Sequence, residues 1–152
     1  MRVLRTLSVD DAIRLYQRLY ERGRHGHAPG RGSYDWMTER GAEWVVAEIP
    51  IDNLVFQTAA DSGPERLARA RQYASMAGAF PPGVASYHGR GRKRQSGRAW
   101  VQDGNHRVLA ASMRGDDHIA MLMPAEEFRA LREDASPRAS RDRHRTLRVK
   151  GR

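Results

Sequence analysis

The sequence predicts an α+β domain: a small mixed β-sheet with helices packed on it. Three observations carry this. Short β-branched or apolar segments of strand length recur at 43–51, 84–87, 99–102 and 119–123. Between them, apolar residues at helical spacing follow serine, proline or asparagine starts and end at glycine. At 152 residues with 39% hydrophobic and 30% charged side chains, the chain is long enough to bury one real core.

Ser8 is an N-cap, with Asp10 and Asp11 in the first turn, and Ala12, Ile13, Leu15, Tyr16, Leu19 and Tyr20 recur at helical spacing until Gly23. Residues 23–35 form a loop. Its glycines follow a helix rather than a strand, which argues against a phosphate-binding loop. Met37 to Arg40 adds a short helical turn. Glu43–Ile51 is a strand, with Pro50 marking its end or an edge. Pro64 opens a helix with Leu67, Ala70, Ala74 and Ala77 on its apolar side. Val84–Tyr87 and Ala99–Gln102 are strands joined as a hairpin with a long basic tip. Asn105 begins a helix closed by Gly115, Ile119–Met123 is a fourth strand, and a last helix runs from Pro124 to about Glu133. Trp44 and Trp100 are expected in the core. Tyr87 is open to two readings, a stacking surface for a base or a buried tyrosine. The expected organisation is a helical extension over 1–42, the domain over 43–134 and a basic tail over 135–152, disordered by composition.

The net charge of +9 is uneven. Residues 138–152 carry a net of +6, and residues 90–98 carry five Lys and Arg with no acid. The remainder is nearly neutral. Arg90, Arg92, Lys93, Arg94 and Arg98, with Arg141, Arg143, Arg145, Arg148 and Lys150, are therefore the candidate nucleic-acid contacts. The absence of cysteine removes disulfides, thiolate catalysis and cysteine-bound metal. The six histidines, His25, His27 and His144 among them, show no metal-ligand spacing. No apolar run has the length of a membrane span and the N-terminus has no signal-peptide core, so a cytoplasmic protein without membrane contact is expected.

Residues 100–115 carry the chemistry. A strand, an Asp103-Gly104 turn and a helix beginning Asn105-His106-Arg107 bring backbone N–H groups, a positive helix end and two basic side chains to one point. Such a point suits phosphate. Arg107 is a permanent cation with a planar fork of donors. His106 can donate to a phosphate oxygen or move a proton near neutral pH. Gly104, Asn105, His106 and Arg107 are the phosphate-binding candidates. For catalysis the candidates are His106 with Asp52 and Asp103, with Glu48 a further candidate carboxylate; Asp61 and Glu65 are reserves. A plain reading of the same residues is an Asp-Gly turn with an asparagine cap.

The order Ile49-Pro-Ile-Asp-Asn-Leu54, helix, Gly78-Ala-Phe-Pro-Pro-Gly-Val84, hairpin, Asp103-Gly-Asn-His-Arg-Val-Leu-Ala-Ala111, Gly115 and apolar strand resembles the ParB/sulfiredoxin superfamily over about residues 43–124. That family includes CTP-binding partition clamps, sulfiredoxins, a free-serine kinase and proteins described as nucleases. The resemblance puts Gly104 to Arg107 on the family's phosphate-binding turn, and Gln57 near a polar position before its first helix. Asn105 stands where sulfiredoxins carry cysteine, so sulfur chemistry is excluded. The single arginine of the turn, and the few residues left for a helix-turn-helix domain, set the chain apart from the partition clamps.

The resulting expectation is a nucleotide-dependent phosphotransferase or phosphohydrolase taking a nucleoside di- or triphosphate with Mg2+. The alternative is a nucleic-acid-binding module or nuclease using the 88–98 loop and the tail. A third possibility is a scaffold that keeps the fold alone.

Overall fold

The computed structural model describes residues 1–21, 34–89 and 97–136. Within them the fold is α+β, five α-helices on a six-stranded mixed sheet. In chain order the elements are β1 (Arg2–Ser8), α1 (Val9–Glu21), α2 (Asp35–Arg40), β2 (Glu43–Pro50), β3 (Leu54–Val55), α3 (Pro64–Ala74), β4 (Gly83–Ser86), β5 (Ala99–Asp103), α4 (Asn105–Arg114), β6 (His118–Pro124) and α5 (Ala125–Asp134). The strand order is β1-β2-β6-β4-β5-β3. β6 and β4 pair in parallel, as do β5 and β3; the other pairs, the β4–β5 hairpin included, are antiparallel.

β2 and β6 read as nearly unbroken apolar runs because both faces of the sheet centre are covered. Val45, Ala47, Ile49, Met121 and Met123 pack with Val108 of α4 and Phe128 and Leu131 of α5. Trp44, Val46 and Leu122 point the other way, against Ala12 and Tyr16 of α1 and Met37 of α2. Local signals set the helix ends. Ser8 Oγ accepts the Asp11 N–H at 3.2 Å, Pro64 opens α3, and Gly115 closes α4 in the left-handed conformation at φ 83°.

The expected helical extension over 1–42 is corrected at its start: residues 2–8 form a strand paired along β2, from Arg2 opposite Glu48 to Ser8 opposite Glu43. Leu7 is the one residue of this edge strand that is buried, so no apolar alternation marks it. Its arginines suit a sheet edge that must not pair further. Trp100 is also corrected. Residues 98–102 alternate between exposed and buried with Ala99 and Val101 inward, which turns the indole outward, 44% exposed. Tyr87 resolves to its buried reading: it is 2% exposed, and its hydroxyl donates to Asp134 at 2.5 Å and accepts the Gly97 N–H at 3.1 Å. That position rules out stacking on a base.

A half-buried ion pair ties the two layers together. Arg40 of α2 donates to both carboxylate oxygens of Glu127 on α5, at 3.2 and 3.0 Å, to Gln102 at 2.8 Å and to the Ala85 carbonyl at 3.0 Å. Glu127 also accepts the Tyr87 N–H at 2.7 Å. Removing the carboxylate strands a shielded guanidinium. Glu127→Ala is therefore expected to lower unfolding free energy by about 3 kcal/mol, with Glu127→Gln intermediate, measured by denaturant titration.

Candidate phosphate site

The site is built where β5 turns into α4. Asp103 ends β5, and its Oδ1 accepts the Gly104 N–H at 2.8 Å. Gly104 is left-handed at φ 87°, and its carbonyl accepts the N–H groups of Arg107 and Val108, both at 3.0 Å. A Cβ at Gly104 would lie 2.9 Å from the Gly83 Cα, and one at Gly83 would lie 2.8 Å from the Asp103 carbonyl oxygen. Both glycines are therefore required for the turn to rest on the start of β4. The N–H groups of Gly104 and Arg107, expected to face a ligand, are used within the turn itself.

Asn105 is the first helical residue, and Gly104 occupies the N-cap position. The Asn105 side chain accepts the Gln57 N–H at 3.3 Å and donates to the Val101 carbonyl at 3.5 Å. It braces the turn against the segment after β3. Gln57 in turn accepts a hydrogen bond from Arg66 of α3 and donates to the Asp61 carbonyl at 2.9 Å. Arg66 is thus linked, through Gln57, to Asn105 at the start of α4. Its place was invisible in sequence, since it depends on α3 packing against α4.

Arg107 donates to the Pro82 carbonyl at 2.7 Å and the Pro81 carbonyl at 3.4 Å. Among the described residues no carboxylate pairs with it. The contrast with Arg114, at the other end of α4, decides how the two are read. Arg114 is bound by Asp116 at 2.5–3.0 Å, donates to the carbonyls of Met76 and Gly78, and lies over the Phe80 ring. The Asp116 hydrogen bond holds its pKa above the ordinary arginine value. Arg114 is a neutralised strap. Arg107 is held by two carbonyl oxygens, with no carboxylate partner among the described residues.

Arg107 also lines a cleft of about 230 Å³. Leu19, Tyr73, Met76, Phe80 and Pro81 supply most of its apolar wall. His106 is partly exposed on the same first turn. Of the carboxylates, Asp103 shapes the turn, whereas Asp52 is exposed in the 3-10 turn 51–53, whose Ile51 N–H donates to the Asp117 carbonyl at the approach to β6. Asp61 accepts the Thr58 hydroxyl at 2.9 Å, and Glu65 is exposed in the first turn of α3. Among the described residues no three His, Asp or Glu side chains converge as metal ligands, and no helix is long and apolar enough to cross a membrane. Arg98 is exposed and donates to the Leu54 carbonyl at 3.1 Å. The other proposed nucleic-acid contacts, Arg90, Arg92, Lys93, Arg94, Arg141, Arg143, Arg145, Arg148 and Lys150, lie outside the described residues, as do His25, His27 and His144. No protein-family model, curated protein or solved structure matches the chain.

Proposed function

We propose that this protein binds the phosphate groups of a nucleotide at the first turn of α4, with the ring in the adjoining apolar cleft. One observation carries the reading: Arg107 is held by two carbonyls, with no carboxylate partner among the described residues, on the wall of that cleft. Arg66 supports a second cationic contact from the Gln57 side, and the positive end of α4 adds to both. Tyr73 and Phe80 offer flat apolar surface to a base. His106 is the group on this turn suited to moving a proton near neutral pH, so phosphoryl transfer or hydrolysis is the chemistry this reading admits. Mg2+ held through phosphates takes one or two carboxylates besides, and Asp103 is the carboxylate of this turn. The resemblance of Asp103 to Arg107 to the ParB/sulfiredoxin turn supports the same reading.

A thermal-shift panel tests it. At about a hundredfold excess over Kd, a nucleoside di- or triphosphate is expected to raise the midpoint by about 5–10 °C, pyrophosphate less, and the unphosphorylated nucleoside hardly at all. Equal shifts with the bare nucleoside, or none with any phosphate, would contradict the proposal.

A further inference from the structure

The outward face of β5 presents a second feature, separate from the phosphate turn. Arg98, Trp100 and Gln102 stand at alternate positions and are exposed, while Ala99 and Val101 between them are buried. Trp100 is 44% exposed. It lies opposite Ser86 of β4 and beside Val55 of β3, so its indole stands on a sheet surface rather than a mobile loop. Gln102 is held by Arg40 at 2.8 Å, which fixes the far end of the row. Arg98, at the near end, donates to a backbone carbonyl, and among the described residues no carboxylate neutralises it. The sequence entering this strand, 90–98, carries five Lys and Arg without an acid.

A large indole exposed on a sheet face, in the same row as the exposed Arg98, matches a polymer that carries flat apolar groups on an anionic backbone. The geometry points to Trp100 as a stacking platform for an unpaired base of single-stranded nucleic acid, with Arg98 taking a flanking phosphate. Duplex offers its bases only edge-on in the grooves, so the indole gains little there. This surface is independent of Arg107 and does not require the nucleotide reading to hold.

The test is fluorescence anisotropy of the full chain with a labelled mixed-sequence oligonucleotide, single-stranded and as duplex, across a salt series. Trp100→Ala is expected to weaken single-strand binding by about 5- to 100-fold, leave the salt dependence unchanged and barely alter duplex binding. Trp100→Phe should keep most of the affinity, and Arg98→Ala should flatten the salt dependence. Unchanged melting temperatures of the variants establish that the fold stands, and the phenylalanine variant carries the comparison if alanine does not fold. Wild-type single-strand affinity in Trp100→Ala would overturn the inference. So would an equal loss on duplex, no binding to either probe, or a concentration-dependent dimer that Trp100→Ala dissolves without affecting the oligonucleotide.

Discussion

Gly104→Ala is expected to destabilise the protein by about 3 kcal/mol or more and to abolish phosphate binding with it. Two effects add. A side chain in the left-handed region costs about 1–2 kcal/mol. The new Cβ would also lie 2.9 Å from the Gly83 Cα, a backbone atom, so β4 and the turn would have to part. Gly115→Ala separates these effects. Gly115 has almost the same φ, 83°, but its added Cβ meets nothing within 4 Å. It should therefore show the conformational cost alone, about 1–2 kcal/mol. Denaturant midpoints of the two variants give the comparison directly. Equal losses would mean that the approach of Gly83 to Gly104 places no demand on the fold.

Arg107→Ala is expected to weaken binding of a nucleoside triphosphate by about 10- to 100-fold, the loss of a charge-assisted hydrogen bond worth about 1.5–3 kcal/mol. Stability should fall by only about 1 kcal/mol, because the contacts given up are two carbonyl hydrogen bonds at a partly exposed position. Arg107→Lys should fall between. It keeps the charge but cannot grip Pro82 and present a second edge of donors to a phosphate at once. Arg114→Ala is the matched control on the same helix. It breaks the hold on the 76–80 loop and the Asp116 pair, so stability falls, while binding at the far end of α4 persists. Calorimetric titration of the three variants tests this division of labour between the two arginines.

The parts legible in the sequence were those decided locally. Pro64, Gly115 and the serine before α1 carry their own start and stop chemistry. β2 and β6 announce themselves because both faces are buried. The Asp103-Gly104 turn and the helix after it were equally visible. What escaped depends on contacts between distant segments. β1 buries Leu7 alone and exists because β2 offers it an edge. β3 is two residues long and is defined by its pairing with β5. Trp100, as a strand tryptophan, is expected in the core, but the parity of Ala99 and Val101 decides which face of β5 is buried. At the site, Arg107 was legible as a cation. That it is anchored by carbonyls, with no counter-ion among the described residues, was not, nor was the link of Arg66 to Asn105 through Gln57, and nothing local hinted that Gly83 must be bare to seat Gly104.

The proposed phosphate contact lies at the first turn of α4, beside an apolar cleft. An amide-resolved NMR titration of the full chain with a nucleoside triphosphate measures this most directly. Saturable shifts are expected centred on residues 104–107, with smaller ones at Gln57, Arg66, Tyr73 and Phe80, all lost in Arg107→Ala. Shifts confined to 90–98 and 138–152, or a response at 104–107 that persists without the Arg107 guanidinium, would contradict it.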